Sequence, residues 1–181
     1  MIGWIAEQPW FGGSIGMVGK SYSACVQWQV AVQTPAHLKA IIVRSGNDNV
    51  YTDWVYPGGQ LNPYMFNTYS PIMTAMNFAP PDPDVVGDIW SALWQERLAD
   101  SRPWGVGYIT HPLDGPYWEA RSLAGNYDRV RCAVYVIGGW ADWYATELLR
   151  AFARLKCPKK ALIGPWGHWY AEEGVAVPGP R

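Results

Sequence analysis

Four short, almost continuously apolar runs stand out along the chain. They read SIGMVG at 14–19, LKAIIVR at 38–44, CAVYVIG at 132–138 and KALIG at 160–164. Runs of this length with little polar interruption are typical of parallel strands covered on both faces. The pattern therefore predicts four buried strands.

A helix is predicted between the strands of each pair. Residues 21–34 carry apolar side chains at helical spacing and stop before Pro35. Residues 143–155 precede a Cys-Pro pair and carry one apolar stripe, made of Leu148, Leu149, Phe152 and Leu155. Strand–helix–strand, repeated after an interruption, predicts an α/β layered fold with right-handed crossovers.

The interruption itself, residues 47–128, is too long for a loop and contains nine prolines. Its stretch VVGDIWSALWQERLA at 85–99 has helical periodicity. We interpret the interruption as a helical cap inserted into the sheet domain. This divides the chain into a first core segment, 1–46, the cap, 47–128, and a second core segment, 129–181.

Composition excludes several classes of protein. With 181 residues, 49% of them apolar and 16% charged, the chain is long enough for a core and is not disordered as a whole. A net charge of −1 lacks the basic footprint of nucleic-acid binding, and no apolar run is long enough to span a membrane. Three scattered cysteines (Cys25, Cys132 and Cys157) predict neither a disulfide framework nor a zinc site, and they do not fix the redox compartment.

The sharpest local motif is GMVGKSYSA at 16–24, which places Ser21 where a strand gives way to a helix. This is the pattern of a nucleophile elbow, a tight turn that exposes the serine oxygen and needs small neighbours. The N-terminus of the following helix favours developing negative charge. A serine at this place is equally a common helix N-cap, so the motif alone leaves both roles open.

A catalytic serine needs a base and an acid that orients the base. Asp142 follows the third apolar run in GGWADW, and His168 follows the fourth in PWGH. The order Ser–Asp–His, with each residue just after a strand, is the order found in α/β-hydrolases. His37, before the second strand, is expected to face solvent, and His111, in the proline-rich insert, to be structural.

Several segments, taken in order, resemble the cocaine esterase / NonD (CocE/NonD) hydrolase family. That family shares the α/β-hydrolase domain of Xaa-Pro dipeptidyl-peptidases (peptidase S15). The matching segments cover nearly the whole chain: WIAEQPW at 4–10, GMVGKSYSA at 16–24, YTDW at 51–54, YPGG at 56–59, HPLD at 111–114, GGWADWY at 138–144 and IGPWGH at 163–168.

The resemblance implies a serine hydrolase that cleaves ester or amide bonds through an acyl-enzyme. In this assignment Ser21 is the nucleophile, His168 the general base and Asp142 its orienter, and the backbone N–H of Tyr22 is one oxyanion donor. No metal or organic cofactor is implied, and the expected partner is a small ester, an amide or a short peptide. The oligomeric state is left open.

The resemblance suggests Trp54 and Tyr144 as lining residues of the substrate pocket, and three further tryptophans lie in the loops that carry Asp142 and His168. Aromatic candidates, each of which is equally a core-packing residue, are Trp54, Tyr144, Trp140, Trp143 and Trp166. Asp53 and Asp114 are candidates for holding a substrate ammonium, as carboxylates do in related α-amino-acid ester hydrolases. The alternative for each carboxylate is a hydrogen bond within the cap or exposure to solvent.

Two departures from the family pattern matter. Ala24 stands where the family usually has glycine. The family also carries N-terminal strands, with a tyrosine that supplies a second oxyanion donor, and a C-terminal jelly-roll domain. We therefore expect the chain to be a fragment, with one unpaired edge on the first strand, poor solubility and weak activity alone.

Three functions stay open at this point. The first is an esterase or amidase of broad acyl scope. The second is a dipeptidyl-peptidase or α-amino-acid ester hydrolase that needs a free substrate amine. The third is an inactive truncated fragment.

Overall fold

The computed structural model describes residues 1–168. Within them, parallel strands form one sheet in the order β1-β2-β3-β4: β1 Ile15–Lys20, β2 Leu38–Arg44, β3 Ala133–Gly139 and β4 Lys159–Gly164. The prediction of four parallel strands is confirmed, with each boundary within one residue of the apolar run. The part of the predicted segment 129–181 beyond residue 168 lies outside the described residues.

Helices connect the strands and fill the insert. The α-helices are α1 Ile2–Ala6, α2 Tyr22–Ala31, α3 Ser70–Phe78, α4 Pro83–Val86, α5 Trp90–Asp100, α6 Trp104–Ile109, α7 Pro116–Glu119 and α8 Ala145–Arg154. Two π-helical turns span Tyr51–Val55 and Met65–Tyr69, and three 3₁₀ turns span Pro57–Gly59, Gly87–Ile89 and Tyr127–Arg129. No helix within residues 1–168 is both long enough and apolar enough to cross a membrane.

The hydrophobic core lies on one face of the sheet. Side chains alternate between the faces of a strand, so Ile41 and Val43 of β2 share a face with Val134 and Val136 of β3, their register partners. All four are at most 3% exposed. They pack with apolar residues of the two crossover helices: Ala24, Trp28 and Ala31 of α2, and Leu148 and Ala151 of α8.

The opposite face of the sheet is less covered by the described residues. Val18 on β1 is 69% exposed and Leu162 on β4 is 44% exposed. Among the described strands β1 also lies at one edge of the sheet, with β2 as its neighbour. An exposed apolar edge strand is a template for pairing with another chain.

The chain divides into two compact units. One unit contains Met1–Asp53 and the chain from Gly115 onward, and therefore the whole sheet. The other unit is Trp54–Asp114, which contains α3 to α6. This second unit lies within the insert that the sequence predicts over 47–128.

The turn from β1 into α2 is so tight that it leaves no space for a side chain at Gly19. A Cβ at this position would lie 2.5 Å from the Ser23 carbonyl oxygen and 2.5 Å from the Gln27 amide nitrogen. The backbone of the helix thus packs directly against the end of the strand. Glycine is required here by the close approach of the two backbone segments.

We expect Gly19→Ala to lower the free energy of unfolding by about 1–3 kcal/mol, because the clash involves backbone atoms that cannot rotate away. Gly16→Ala in the same strand is the matched control, since its nearest atom, the Ala40 carbonyl oxygen, is 3.8 Å away. Urea denaturation of both variants measures the difference. If both variants lost the same free energy of unfolding, the turn at Gly19 would have room for a side chain.

Candidate active site

Ser21 occupies a strained turn directly after β1. Its backbone has φ 60° and ψ −127°, a positive-φ conformation that is uncommon for a residue with a side chain. Its N–H donates to the Arg44 carbonyl at 2.9 Å, so the turn is still attached to β2. The Ser21 side chain makes no capping hydrogen bond to α2, so the N-cap role that the sequence left open is not adopted.

The neighbouring hydroxyl, Ser23, is committed to closing this turn. It donates to the Lys20 carbonyl at 2.7 Å and accepts from the Lys20 N–H at 2.9 Å. The next residue, Ala24, is fully buried against the end of β2, where a Cβ on Gly46 would lie 2.8 Å from the Ala24 Cβ. Because position 46 is glycine, the turn accommodates alanine where the family usually has glycine.

Asp142 and His168 form a buried hydrogen-bonded pair. The His168 Nδ1 lies 3.1 Å from one Asp142 carboxylate oxygen and 3.3 Å from the other. Both residues are less than a tenth exposed. The carboxylate also accepts the Tyr144 N–H at 3.2 Å, which holds it in place. The fold thus brings together two residues that are 26 positions apart in sequence.

The loop after β4 folds back over the end of β3, and this brings His168 to Asp142. The Trp140 N–H donates to the Gly164 carbonyl at 2.9 Å, and the Ala141 N–H donates to the Trp166 carbonyl at 3.1 Å. A Cβ on Gly139 would lie 1.8 Å from the Trp166 carbonyl oxygen. Glycine at the end of β3 is therefore what lets the loop lie this close.

The electrostatics of Asp142 favour its charged form. Burial acts to raise the pKa of Asp142, but hydrogen bonds from His168, Ser45 and the Tyr144 amide act in the opposite direction. The net result is a pKa below the ordinary value of an aspartate. Hydrogen bonds to the ionised form outweigh desolvation here.

Ser45 is a contributor that the sequence analysis missed. It is 5% exposed, has φ 49° and donates its N–H to the Ile137 carbonyl at 3.0 Å. Ser45 follows β2 as Ser21 follows β1, since Lys20 and Arg44 are register partners. A serine at the same offset from an apolar run was the signal available in the sequence. Ser45 thus follows the strand between those of Ser21 and Asp142.

Aromatic side chains surround the His168 ring. The Trp143 ring stacks on it, with 4.8 Å between centroids and 28° between planes, and the Tyr144 ring meets it edge-on at 5.9 Å. Tyr144 is buried, whereas Trp143 and Trp140 are each 63% exposed. The Trp166 ring packs against Gly164, where a Cβ would lie 2.0 Å away.

Asp53 is engaged in a buried charge cluster with Arg150 and Asp48. The Arg150 guanidinium on α8 pairs with both carboxylates, and Asp48 also accepts the Tyr127 hydroxyl at 2.6 Å. Asp53 accepts the Asn49 N–H at 3.0 Å, and its side chain is 4% exposed. Burial raises the pKa of Asp53 despite the opposing effect of Arg150. Nothing in the sequence indicated this cluster, because Arg150 is 102 positions from Asp48.

Two of the predicted pocket residues belong to the second unit. There Trp54 packs its ring against Tyr69, with 5.3 Å between centroids, and Asp114 is the exposed last residue. In the first unit, Tyr22 is the first residue of α2 and is 48% exposed. Among residues 1–168, no group of three or more His, Cys, Asp or Glu side chains is placed to hold a metal ion.

The other two histidines have local contacts of their own. His37, which was expected to face solvent, is half-buried and meets the Phe11 ring edge-on, with 5.1 Å between centroids. His111 is exposed, and its Nδ1 lies 2.8 Å from the Gly107 carbonyl oxygen. These contacts are the structural kind expected of histidines outside a catalytic site.

Comparisons with known sequences identify the family of the chain. The family model described as X-Pro dipeptidyl-peptidase (S15 family) matches residues 1–170. Cocaine esterase from Rhodococcus sp. (strain MB1 Bresler) is 28% identical over 176 residues, which cover 86% of this chain and 31% of that protein. The chain therefore spans about a third of the length of this curated relative.

Solved structures show the same fold. A CocE/NonD family hydrolase from Staphylococcus aureus matches with a TM-score of 0.72 and 22% identity, over 95% of this chain and 29% of that one. Acylaminoacyl peptidase from Pyrococcus horikoshii matches with a TM-score of 0.52 and 15% identity, over 91% of this chain and 21% of that one. The prediction of a partial α/β-hydrolase fold is confirmed. With a family match over nearly its whole length, the chain belongs to the X-Pro dipeptidyl-peptidase (S15) family.

Proposed function

We propose that this chain carries the catalytic residues of a serine hydrolase that cleaves ester or amide acyl bonds. The main support for the proposal is the buried Asp142–His168 pair. This pair lies at the carboxyl ends of the parallel strands, and so does the turn that carries Ser21. The carboxyl ends of parallel strands meet at one edge, so residues that follow β1, β3 and β4 share it. Membership of the S15 family supports the same chemistry.

In the proposed mechanism His168 is the general base. Its Nδ1–H donates to Asp142, which selects the tautomer with a bare Nε2. Nε2 takes the proton of the Ser21 hydroxyl as Oγ attacks the substrate carbonyl carbon. Asp142 stays ionised and stabilises the imidazolium, and the stacked Trp143 ring offers its electron-rich face to the same positive charge.

The negative charge of the tetrahedral intermediate falls on the former carbonyl oxygen. The backbone N–H of Tyr22, at the start of α2, is the proposed donor to this oxyanion, aided by the helix dipole. His168 then gives its proton to the leaving alcohol or amine as the carbon–heteroatom bond breaks. Water, deprotonated by His168, attacks the acyl-enzyme and releases the acid and free Ser21.

The substrate class is proposed to be an ester or amide whose acyl group is uncharged. An amino-ester hydrolase or dipeptidyl-peptidase must hold a substrate ammonium, and Asp53 was the carboxylate suggested for this in the first unit. Its carboxylate is buried and neutralised by Arg150, which leaves it poorly placed to pair with a second cation. The exposed Trp143 and Trp140 rings instead favour an apolar acyl group.

Dipeptidyl-peptidase activity is the second candidate, since it is the activity in the name of the matching family. The two functions differ in whether the substrate needs a free amino terminus. For the 181-residue chain we expect p-nitrophenyl butyrate to be hydrolysed at least about tenfold more efficiently than Gly-Pro-p-nitroanilide, because the Asp53 carboxylate is already paired with Arg150 and the exposed Trp140 and Trp143 rings favour an uncharged acyl group. A tenfold ratio corresponds to ~1.4 kcal/mol. Initial rates of p-nitrophenol and p-nitroaniline release measure the ratio. A preference for the free-amine substrate would reverse the assignment.

Ser21→Ala is expected to abolish labelling by a fluorophosphonate probe and to reduce ester hydrolysis to the background rate, since it removes the proposed nucleophile. Ser14→Ala is the matched control, because this serine is exposed and lies just before β1, outside the Ser21 turn. This control should keep its labelling. Mass-spectrometric mapping of the labelled peptide decides the question, and adduct formation at Ser23 or Ser14 would contradict the assignment.

The lowered pKa of Asp142 predicts an acid-dependent loss of stability. In the unfolded chain an aspartate has a pKa near 3.9, and the folded value is lower, so the charged form contributes stability above about pH 4. This contribution is lost as the pH falls from about 4 through the folded pKa. Asp142→Asn should therefore have a lower free energy of unfolding than the parent protein at pH 7. The difference between the two proteins should become smaller as the pH falls. Urea unfolding of both proteins at pH 7 and at pH 3.5 measures this difference. A difference that stays constant or grows at pH 3.5 would argue against a lowered pKa of Asp142.

A further inference from the structure

The second unit contains a cavity of about 620 Å³ that the catalytic proposal does not use. It lies between the continuous helical segment of residues 66–78 and the segment 103–109, which includes α6. Its apolar walls come mainly from Phe66, Phe78, Val106 and Ile109. Among the described residues, no charged side chain lines the cavity, and the lining residues all belong to the second unit.

One polar group in this cavity has no partner among the described residues. The Ser70 hydroxyl lines the cavity, and the residue is only 3% exposed, yet its Oγ makes no hydrogen bond to the described protein atoms. The neighbouring Thr74 hydroxyl is already committed, since it donates to the Ser70 carbonyl at 2.8 Å. A buried hydroxyl without a partner costs about 1–3 kcal/mol, which a hydrogen-bonding ligand would recover.

The apolar walls are also exposed to an unusual degree for large side chains. Phe66 is 38% exposed, Ile109 is 45% exposed and Val106 is 51% exposed. Gly105 keeps the space beside them open, since a Cβ there would lie 3.4 Å from the Ser70 Oγ and 3.5 Å from the Phe66 ring. Any side chain larger than alanine at position 105 would project against these two groups.

We propose that this cavity binds an uncharged, mostly apolar small molecule whose carbonyl oxygen accepts a hydrogen bond from Ser70. Its volume lies within the roughly 300–1,000 Å³ that is typical of small-molecule sites. Its lining by uncharged side chains, as far as residues 1–168 go, selects against ions, because a buried ion without a partner is strongly disfavoured. None of the described residues that line the cavity takes part in the proposed Ser21 chemistry, so the ligand need not be hydrolysable, and neutral ketones qualify as well as esters.

Acetophenone is the probe, because it combines an apolar ring with a carbonyl acceptor and is not hydrolysed. It is titrated into the 181-residue chain, and the methyl signals of Ala75, Val106 and Ile109 are followed by NMR. We expect saturable shifts at these cavity-lining methyl groups. Ethylbenzene, which lacks the carbonyl, should bind about three- to tenfold more weakly, as expected for one neutral hydrogen bond, and benzoate should not bind measurably.

Ser70→Ala tests the donor directly. It should weaken acetophenone binding by about three- to tenfold and leave ethylbenzene binding unchanged. Ser91→Ala, in α5 and away from the cavity, is the matched control and should bind as the parent does. Gly105→Leu should abolish binding of both probes by filling the space.

Several outcomes would overturn the proposal. These are unsaturable or scattered shifts, equal affinity for acetophenone and ethylbenzene, or unchanged acetophenone affinity in Ser70→Ala. Circular dichroism checks that Gly105→Leu has folded, and Ser70→Ala decides the proposal if it has not. Fluorophosphonate labelling of Ser21 is read separately, so loss of the cavity site and loss of the catalytic site are distinguishable.

Discussion

The close approach of α2 to the end of β1 is the constraint on which the site depends. At Gly19 a Cβ would lie 2.5 Å from the Ser23 carbonyl, so strand and helix meet without any side chain between them. The chain must then reverse direction within one residue, and Ser21 takes a positive φ to do so. The strain of that conformation is maintained by the Ser23 and Lys20 hydrogen bonds around it.

The parallel sheet places further candidate residues at the same end as this turn. All four strands run in one direction, so the residues that follow their carboxyl ends lie at the same end of the sheet. These residues are Ser21, Ser45, Asp142 and His168. The same glycine device recurs at the end of β3, where Gly139 lets the following loop pack close. Backbone proximity, and not side-chain length, therefore brings His168 to Asp142.

The first unit stabilises buried carboxylates in two different ways, by hydrogen bonds and by an ion pair. Asp142 is surrounded by hydrogen-bond donors, which lower its pKa and keep it charged for a role beside His168. Asp48 and Asp53 share one guanidinium, Arg150, which ties the segment after β2 to α8. That ion pair fixes the Asp53 carboxylate at the residue just before the second unit begins.

The sequence alone determined the strands, the crossover helices and the order of the candidate triad. Continuous apolar runs report burial on a sheet, and Asp142 and His168 each stand just after such a run, so local pattern was sufficient. The resemblance to the S15-type hydrolases, carried by motifs such as GGWADWY, was also readable from the sequence and is confirmed by the family match.

Tertiary structure alone decided which side chains became partners. Asp53 is a candidate for binding a substrate amine in the sequence, and only the fold pairs it with Arg150, 97 positions later. The fold also places Ser45 beside the Asp142 carboxylate and the Ser70 hydroxyl in an apolar cavity. The physical reason is that periodicity encodes how each element is buried, whereas the neighbours of a polar group are set by the packing of elements that lie far apart in the chain.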